Sequence, residues 1–426
     1  GITQEIRIFS EDNEKVNWLV GGFYYQEDMK FNESIYYGSL WRSFLDAFLP
    51  AGTISGVAEA FGLPDSMLFA SGQGNTESAT QDNTTKSLFA QFDIQLTEKL
   101  NAIIGASYIE DDKVVSYNQI NTAVFSNLDF VGAGTMALIG AGFPADQAAV
   151  LATDPEYNPL LPLQGLQFIP QFVNFPNAAQ NGKSSDDNID YTAKLSFAVN
   201  DSVTLYGGIS TGFKATAWNI SRNSLPDAIE TAGLEAAGTP VGPNTGLGQR
   251  YATPEEAEVM EFGAKIYLPS GYLNVAVFDQ EIKGFQSNTF IGTGFVLANA
   301  GSQSADGYEF DLVFAPTDNI DLSISGLFLD PIYDSFPSSS SGDLTGTKPT
   351  NIPDDTISSN ITWNWTINGY DGYVRLSHLY SSDVKLLENT TWQAVLDASG
   401  NGTATLSQNI TTTTSLDIFV DDVDFI

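Results

Sequence analysis

Apolar and polar side chains alternate along many segments of the chain, and Ser87–Thr97 shows the pattern clearly. Its even-numbered positions are apolar, whereas its odd-numbered positions are polar apart from Phe89. A repeat of two residues places successive side chains on opposite faces of a β-strand. The alternation resumes at Leu100 after a short polar turn, which predicts a hairpin with one apolar face.

Further segments repeat this alternation, and their apolar faces carry no charged side chain. The clearest begin at Tyr191, Met260, Tyr308 and Ile357, and a short polar turn follows each of them. A Lys or Arg that faces lipid costs about 2–4 kcal/mol, so a membrane explains the exclusion of charge. The inner faces of a soluble β-sandwich are equally apolar, and alternation alone leaves both architectures open.

Connection lengths favour the membrane architecture. Tight turns occur near residues 11–16, 98–100, 200–202, 269–271, 316–319 and 368–371. The segments between these hairpins are long and cover residues 36–84, 118–187, 216–255, 287–304, 334–354 and 384–403. Outer-membrane barrels have short periplasmic turns and long extracellular loops. The chain is therefore predicted to be all-β, a transmembrane antiparallel up-and-down β-barrel of which about 12–14 strands are present.

The composition narrows the possible chemistry. The chain has 426 residues, no Cys, a single His (His378) and a formal net charge of −35. Without Cys there is no disulfide or thiolate site, and one His leaves little scope for a metal cluster or a catalytic triad. The negative charge argues against nucleic-acid binding, because neutralising phosphate requires Lys and Arg. We therefore expect no catalytic residue, no resident metal and no cofactor.

Helical spans are not expected, because the chain lacks a stretch of about 18 uninterrupted apolar residues. The segment Val131–Ala152 comes nearest, but Pro144, Asp146 and several Gly residues indicate a short helix inside a loop. Aromatic residues make up 12% of the chain, and they fit lipid-facing and girdle positions of a barrel. Acidic residues fit its loops and lumen.

Several sequence motifs occur in order along residues 1–335. Thr3–Ser10 is followed by Trp18–Tyr25, Leu205–Lys214 ends in GFK, and Pro254–Lys265 begins with PE and has Phe262 following a Glu. The series continues with Leu273–Phe278, Asn299–Gly301, Gly307–Glu309 and Pro316. In this order the motifs resemble those of the TonB-dependent outer-membrane receptors, namely a mid-barrel hairpin, a strand ending in GFK and a PE…YE.G.K segment.

The resemblance implies a bacterial outer-membrane barrel of about 22 strands with a plug in its lumen. It also implies partners: outer-membrane lipid, the TonB complex acting through the plug, and a small-molecule or oligosaccharide ligand. In this family the ligand is a scarce or bulky nutrient such as siderophore-bound iron, haem, cobalamin or an oligosaccharide. Because no plug, TonB box or final strands match here, residues 1–426 are expected to be one partial barrel domain.

Aromatic residues in the long loops are the candidate ligand-binding residues. Their ring faces suit the stacking of a sugar or a planar chelate, although packing of the loops or a place in the aromatic girdle would also explain them. The candidates are Trp41, Phe44, Phe48, Phe168, Phe172, Phe175 and Trp218.

Polar residues on the other face of the strands are expected to point into the lumen. Eight of them are the candidate plug-facing residues: Gln91, Asp93, Gln95, Lys194, Glu261, Lys265, Glu309 and Asp311. Acidic pairs such as Asp111-Asp112 and Asp186-Asp187 offer oxygen ligands, but they lack the spacing of a calcium loop. They are therefore interpreted as solvated charge.

Two other functions fit the residues. A passive porin with an acidic lumen would prefer cations. A secreted, acidic, β-rich protein that binds carbohydrate or mediates adhesion would have the same alternation inside a soluble sandwich. The resemblance favours the energy-coupled receptor over both.

Overall fold

The structure is a computed structural model of the whole chain. It describes residues 1–11, 15–168, 182–220, 251–290, 295–299, 301–337, 343–385, 407–408 and 411–420.

In these residues a single antiparallel sheet of 13 strands runs through the chain, and each strand pairs with its neighbours in sequence. The strands are β1 (Ile2–Phe9), β2 (Val16–Tyr36), β3 (Gly74–Gln95), β4 (Leu100–Asn121), β5 (Lys183–Asn200), β6 (Val203–Lys214), β7 (Glu255–Leu268), β8 (Gly271–Lys283), β9 (Ser302–Thr317), β10 (Ile320–Ser335), β11 (Asp355–Ile367), β12 (Tyr370–Ser381) and β13 (Thr411–Val420). This is the predicted up-and-down order, and β1 and β13 form the two edges of the sheet.

Short and long connections alternate, as predicted. The six tight turns lie at one end of the sheet, and the long segments lie at the other. The strands β2, β3 and β4 have 21 or 22 residues, about twice the 9–11 that cross a membrane. Their ends beside the long connections therefore extend well beyond the lipid.

Large apolar side chains cover one face of the sheet and are exposed. Leu195 on β5 and Phe262 on β7 lie on either side of Gly207, and they are 53% and 64% exposed. Leu88 on β3 is 69% exposed. A soluble protein rarely exposes so continuous an apolar surface, so this face is the one that contacts lipid.

Four α-helices occur in the described residues, all in the connections that follow β2 and β4. They are α1 (Trp41–Phe48), α2 (Thr53–Ala60), α3 (Phe130–Gly140) and α4 (Ala145–Leu151). None of the described helices is long and apolar enough to cross a membrane. The segment predicted to hold one short helix forms two, because the chain turns at Gly142 (φ +97°) ahead of Pro144.

Three two-stranded ribbons extend the sheet at its long-loop end. They pair Ala217–Trp218 with Tyr251–Ala252, Gln286–Phe290 with Phe295–Asn299, and Val384–Lys385 with Ser407–Gln408.

Candidate functional site

The connections after β2 and β4 fold together into a compact unit on top of β2–β4, which we call the cap (residues 37–73 and 122–168). Its core is apolar and closely packed. Phe125 and Phe69 stack with ring centroids 4.4 Å apart, and Phe130 packs against Phe125 at 5.6 Å. Leu45 of α1 and Val57 of α2 complete the same core. The cap therefore has an internal hydrophobic core of its own, which gives it a defined surface.

The helix α1 carries three of the candidate aromatic residues. Trp41 is half-buried between Tyr37 and Phe44, with ring centroids at 5.9 and 5.3 Å. Phe44 contacts Phe48 at 4.6 Å, and these two rings are 49% and 74% exposed. The helix thus presents two connected aromatic faces to the outside of the cap while Leu45 faces inward.

Arg42 holds α1 against the rest of the cap. Its guanidinium donates to Asp46 at 3.0 Å and to the Asp65 carboxylate at 3.0 Å, and it also reaches the backbone oxygen of Asp65 at 3.1 Å. A hydrogen bond with Ser55 and then the one from Arg42 hold the pKa of Asp65 below its ordinary value. The exposed aromatic rings therefore stand on a fixed helix.

Trp218 lies away from α1, at the base of another connection, and is buried. Its indole nitrogen donates to the Ser184 hydroxyl at 3.0 Å, and its ring packs against Tyr251 at 5.1 Å. It also contacts Val115. In this position Trp218 anchors the connection to β4 and β5.

The remaining aromatic candidates cannot be located as side chains. Phe168 ends the 3-10 helix Leu161–Phe168, and its ring lies outside the described part. Phe172 and Phe175 lie outside the described residues altogether. Their role in binding stays a prediction.

The polar lumen candidates fall into two groups. Gln91, Asp93 and Gln95 line β3 on the face opposite to Leu88, and Asp93 pairs with Ile103 of β4. Lys194 follows Ile103 in the same cross-strand row. Gln91, Asp93 and Gln95 are therefore spread along one strand, and they form no compact site with the residues of β7 and β9.

Lys194 and Glu261 occupy one cross-strand row, with Gly208 of β6 between them. A side chain on Gly208 would meet the Lys194 side chain at 2.6 Å and the Ala193 carbonyl at 2.8 Å. The glycine therefore lets the lysine lie flat over β6 toward the glutamate on β7.

The second group does come together. Lys265, Glu309 and Asp311 line one groove of about 400 Å³ on the polar face of β6–β11. The Lys265 ammonium lies 5.8 Å from the centre of the Tyr206 ring, and Asn274 stands between Lys265 and Asp311 in the register. The groove offers hydrogen-bond donors and acceptors and side chains of both charges. This lining suits contact with another protein surface or with water.

Tyr206 and Asn274 also line this groove, although neither is among the predicted lumen residues. Both lie on the same face as those residues, and their parity along β6 and β8 is the signal that identifies them. What the sequence could not supply is the register that sets Tyr206 beside Gly263. A β-carbon added at Gly263 would lie 2.5 Å from the Tyr206 ring.

Two of the acidic pairs are used to hold the outer ends of the strands. Asp111 accepts a hydrogen bond of 2.7 Å from Thr85 and forms a buried ion pair with Lys113. Asp186, directly opposite Asp111 on β5, accepts from the backbone and the hydroxyl of Thr216 at 3.0 and 3.1 Å. These carboxylates are occupied by protein donors.

A groove of about 560 Å³ lies against the lipid-facing surface, where Ile104, Leu195 and Phe262 contribute to its lining. Its polar lining is small, and Gly207 provides the depression. A hydrocarbon chain suits such a surface better than a polar nutrient does, so the groove belongs to the membrane-facing wall.

The sheet, its alternating short and long connections and its lipid-facing apolar surface define an outer-membrane β-barrel protein of Gram-negative bacteria. The family model described as TonB dependent receptor-like, beta-barrel matches residues 4–420. The chain belongs to this family, which confirms the resemblance and the fold class. A search of curated protein sequences finds no match.

Solved structures show the same fold. The ferric yersiniabactin uptake receptor FyuA from Yersinia pestis has a TM-score of 0.60 at 13% identity, over 98% of this chain and 45% of that receptor. The ferric-catecholate import receptor Fiu from E. coli K12 has a TM-score of 0.54 at 10% identity, over 98% of this chain and 47% of that receptor. The chain thus spans a little under half the length of each.

The fold removes one of the alternative functions. A secreted β-sandwich that binds carbohydrate requires two packed soluble sheets, whereas this chain forms one continuous sheet of a membrane-barrel family. An energy-coupled receptor and a passive porin are both compatible with this sheet.

Proposed function

We propose that this chain is the barrel of an energy-coupled outer-membrane receptor that takes up a scarce or bulky nutrient. The observation that carries the proposal is the folded cap, because a porin needs an open entrance and gains nothing from a packed, aromatic-bearing unit above it. Residues 1–426 act in this proposal as one partial barrel domain. The two ferric-chelate receptors reported above make a ferric chelate the first ligand to test.

In the proposed mechanism the exposed rings of Phe44 and Phe48 make the first contact with the ligand. Trp41, Phe168, Phe172 and Phe175 are also proposed to contribute to ligand binding, with Trp218 holding another connection in place. A plug domain in the lumen meets the polar wall, where Lys265, Glu309 and Asp311 form their groove. The TonB complex then moves the plug, and the ligand passes through the barrel. No covalent step is proposed.

Uptake of a labelled ferric chelate tests the energy coupling. Cells that express the full chain are compared with and without tonB, and with and without an uncoupler of the proton gradient. We expect uptake to be lost when either is removed. Uptake that persists in both conditions would support a passive, cation-preferring porin instead.

Binding to the cap is tested with the variants Phe44→Ala and Phe48→Ala. Loss of a stacking ring is expected to weaken ligand binding about tenfold, equivalent to about 1.4 kcal/mol. The matched control is Val150→Ala on α4, an apolar side chain of the same cap that is 71% exposed. Equal effects of all three substitutions would show that the aromatic rings have no specific role.

A further inference from the structure

Two oxygen atoms at the base of the cap are buried without a hydrogen-bond donor. Glu77 and Asn75, near the outer end of β3, are each 3% exposed. The Asn75 side-chain nitrogen donates to Oε1 of Glu77 at 2.7 Å. The other oxygen of each group, Oε2 of Glu77 and Oδ1 of Asn75, is buried and accepts no hydrogen bond. The two groups are therefore in contact, and each has an open acceptor.

A buried carboxylate that lacks a partner is costly. Leaving a buried acceptor unsatisfied costs about 1–3 kcal/mol for a neutral group and more for a charged one. Buried charges in proteins are accordingly paired with an opposite charge or bound to a metal ion. A positive group bound at Oε2 would therefore stabilise the buried Glu77 carboxylate.

The described strand segments around Glu77 supply no such group. The parts of β2, β3 and β4 that surround the site, residues 31–38, 73–80 and 116–123, contain no Lys or Arg. The residue directly across from Glu77 on β2 is another acid, Glu33. Like charges directly opposite in a sheet destabilise the pair of strands. A bound cation removes both the repulsion and the unsatisfied charge.

The kind of cation follows from the donor atoms and from the location. The site offers only oxygen, in carboxylate and amide groups, which suits a hard cation such as Ca²⁺. Along β3, Glu77 lies about 60 Å from Gln95, which is at the periplasmic turn. The lipid-facing band of a barrel is only about 25 Å tall. The site therefore lies outside the membrane, on the side of the external medium.

We propose that Glu77, Asn75 and Glu33 hold a Ca²⁺ ion where β2 and β3 enter the cap. In the described residues no three His, Cys, Asp or Glu side chains gather as a metal cluster, so amide and water oxygens complete the shell. Such a site matches the weak, about 10⁻⁴–10⁻³ M affinity of extracellular calcium modules. Ile35, directly opposite Asn75, packs against the cap core, so the ion stiffens the base of the cap.

Terbium luminescence tests the site in the full chain purified in detergent, since Tb³⁺ replaces Ca²⁺ and is excited through nearby tyrosines. We expect saturable emission that Ca²⁺ displaces, and calcium-dependent protection of the cap from protease. Glu77→Gln is expected to raise the Ca²⁺ midpoint about tenfold, because it removes a ligand charge. The matched control is Asp82→Asn, an exposed acid on the same strand, which should change the midpoint less than twofold.

Several outcomes overturn the proposal. Equal losses of emission in Glu77→Gln and Asp82→Asn would show that Tb³⁺ binds only scattered surface acid. A Glu77→Gln protein that becomes more stable and has an unchanged calcium response would show that Glu77 is buried as a neutral acid. Should Glu77→Gln fail to assemble, Asn75→Asp decides. It adds a ligand charge and should lower the midpoint, and an unchanged midpoint would contradict the site.

Discussion

Neighbouring side chains on α1 have different environments, and this division suits the proposed role of the helix in ligand binding. Leu45 is 5% exposed and belongs to the cap core, whereas Phe48, three residues later, is 74% exposed. Arg42 fixes the helix through Asp46 and Asp65. Because the buried side chains hold the helix, the exposed rings would lose little conformational entropy in the proposed contact with a ligand.

The cap core can be tested with Phe125→Ala. Phe125 is fully buried and contacts both Phe69 and Phe130, so the substitution should destabilise the cap by about 3–5 kcal/mol. We expect rapid proteolysis of the cap while the barrel keeps its heat-modifiable migration on gels. Phe48→Ala removes the same ring from an exposed position and should alter cap stability by about 0.5 kcal/mol or less. Equal protease sensitivity in the two variants would contradict a packed cap core.

At the scale of a strand, the contrast between its two faces determines its register in the sheet. Glu261 and Phe262 are adjacent on β7, yet Glu261 shares a row with Gly208 while Phe262 is exposed beside Gly207. Phe262 lies on the apolar, lipid-facing side of the sheet, and Glu261 lies on the opposite side, which is predicted to face the lumen. A shift of one residue in register would exchange these environments, which makes the observed register strongly preferred.

This difference between faces predicts unequal effects of one substitution. Phe262→Lys places an ammonium in lipid and should cost about 2–4 kcal/mol. Glu261→Lys, on the next residue, keeps its charge in the aqueous lumen and should cost much less. Unfolding by urea in lipid vesicles measures both. Similar losses of stability would show that Phe262 does not face the bilayer.

On the scale of the whole molecule, the outer end of the protein is acidic. Five of the six long connections carry more Asp and Glu than Lys and Arg, and the sixth, residues 287–304, is uncharged. Several of the cations near that end are already paired: Arg42 with Asp65, Lys348 with Asp354, and Lys214 with Glu255. The field at the entrance therefore repels anions.

The expected consequence is selection by ligand charge. A neutral or cationic ferric chelate should associate about tenfold faster or more than a highly anionic one at low salt. The difference should shrink at 1 M salt, where the screening length falls to about 3 Å. Binding rates of chelates of known charge, measured at both salt concentrations, provide the test. Faster association of the anionic chelate would contradict an acidic entrance.

How far the fold could be predicted depends on how local the signal is. The strands and tight turns follow from a two-residue repeat and a few turn residues, so their order was accessible from sequence. The division of Val131–Ala152 into α3 and α4 was missed, although Gly142 and Pro144 mark the break. The surroundings of Trp218 could not be predicted, because Ser184 lies 34 residues away and meets it only through strand pairing.

The sequence by itself determined that the chain forms strands with alternating faces, because burial of one face acts on every second residue independently of distant partners. The alternation of short turns with long connections then favoured a membrane barrel over a soluble sandwich. The sequence also determined the acidic character of the long connections. Only the tertiary structure decided that two of those connections share one core, that Lys265, Glu309 and Asp311 meet in a groove, and that Glu77 is buried opposite Glu33. These features depend on register and on contacts between distant segments, and a local pattern of residues contains neither.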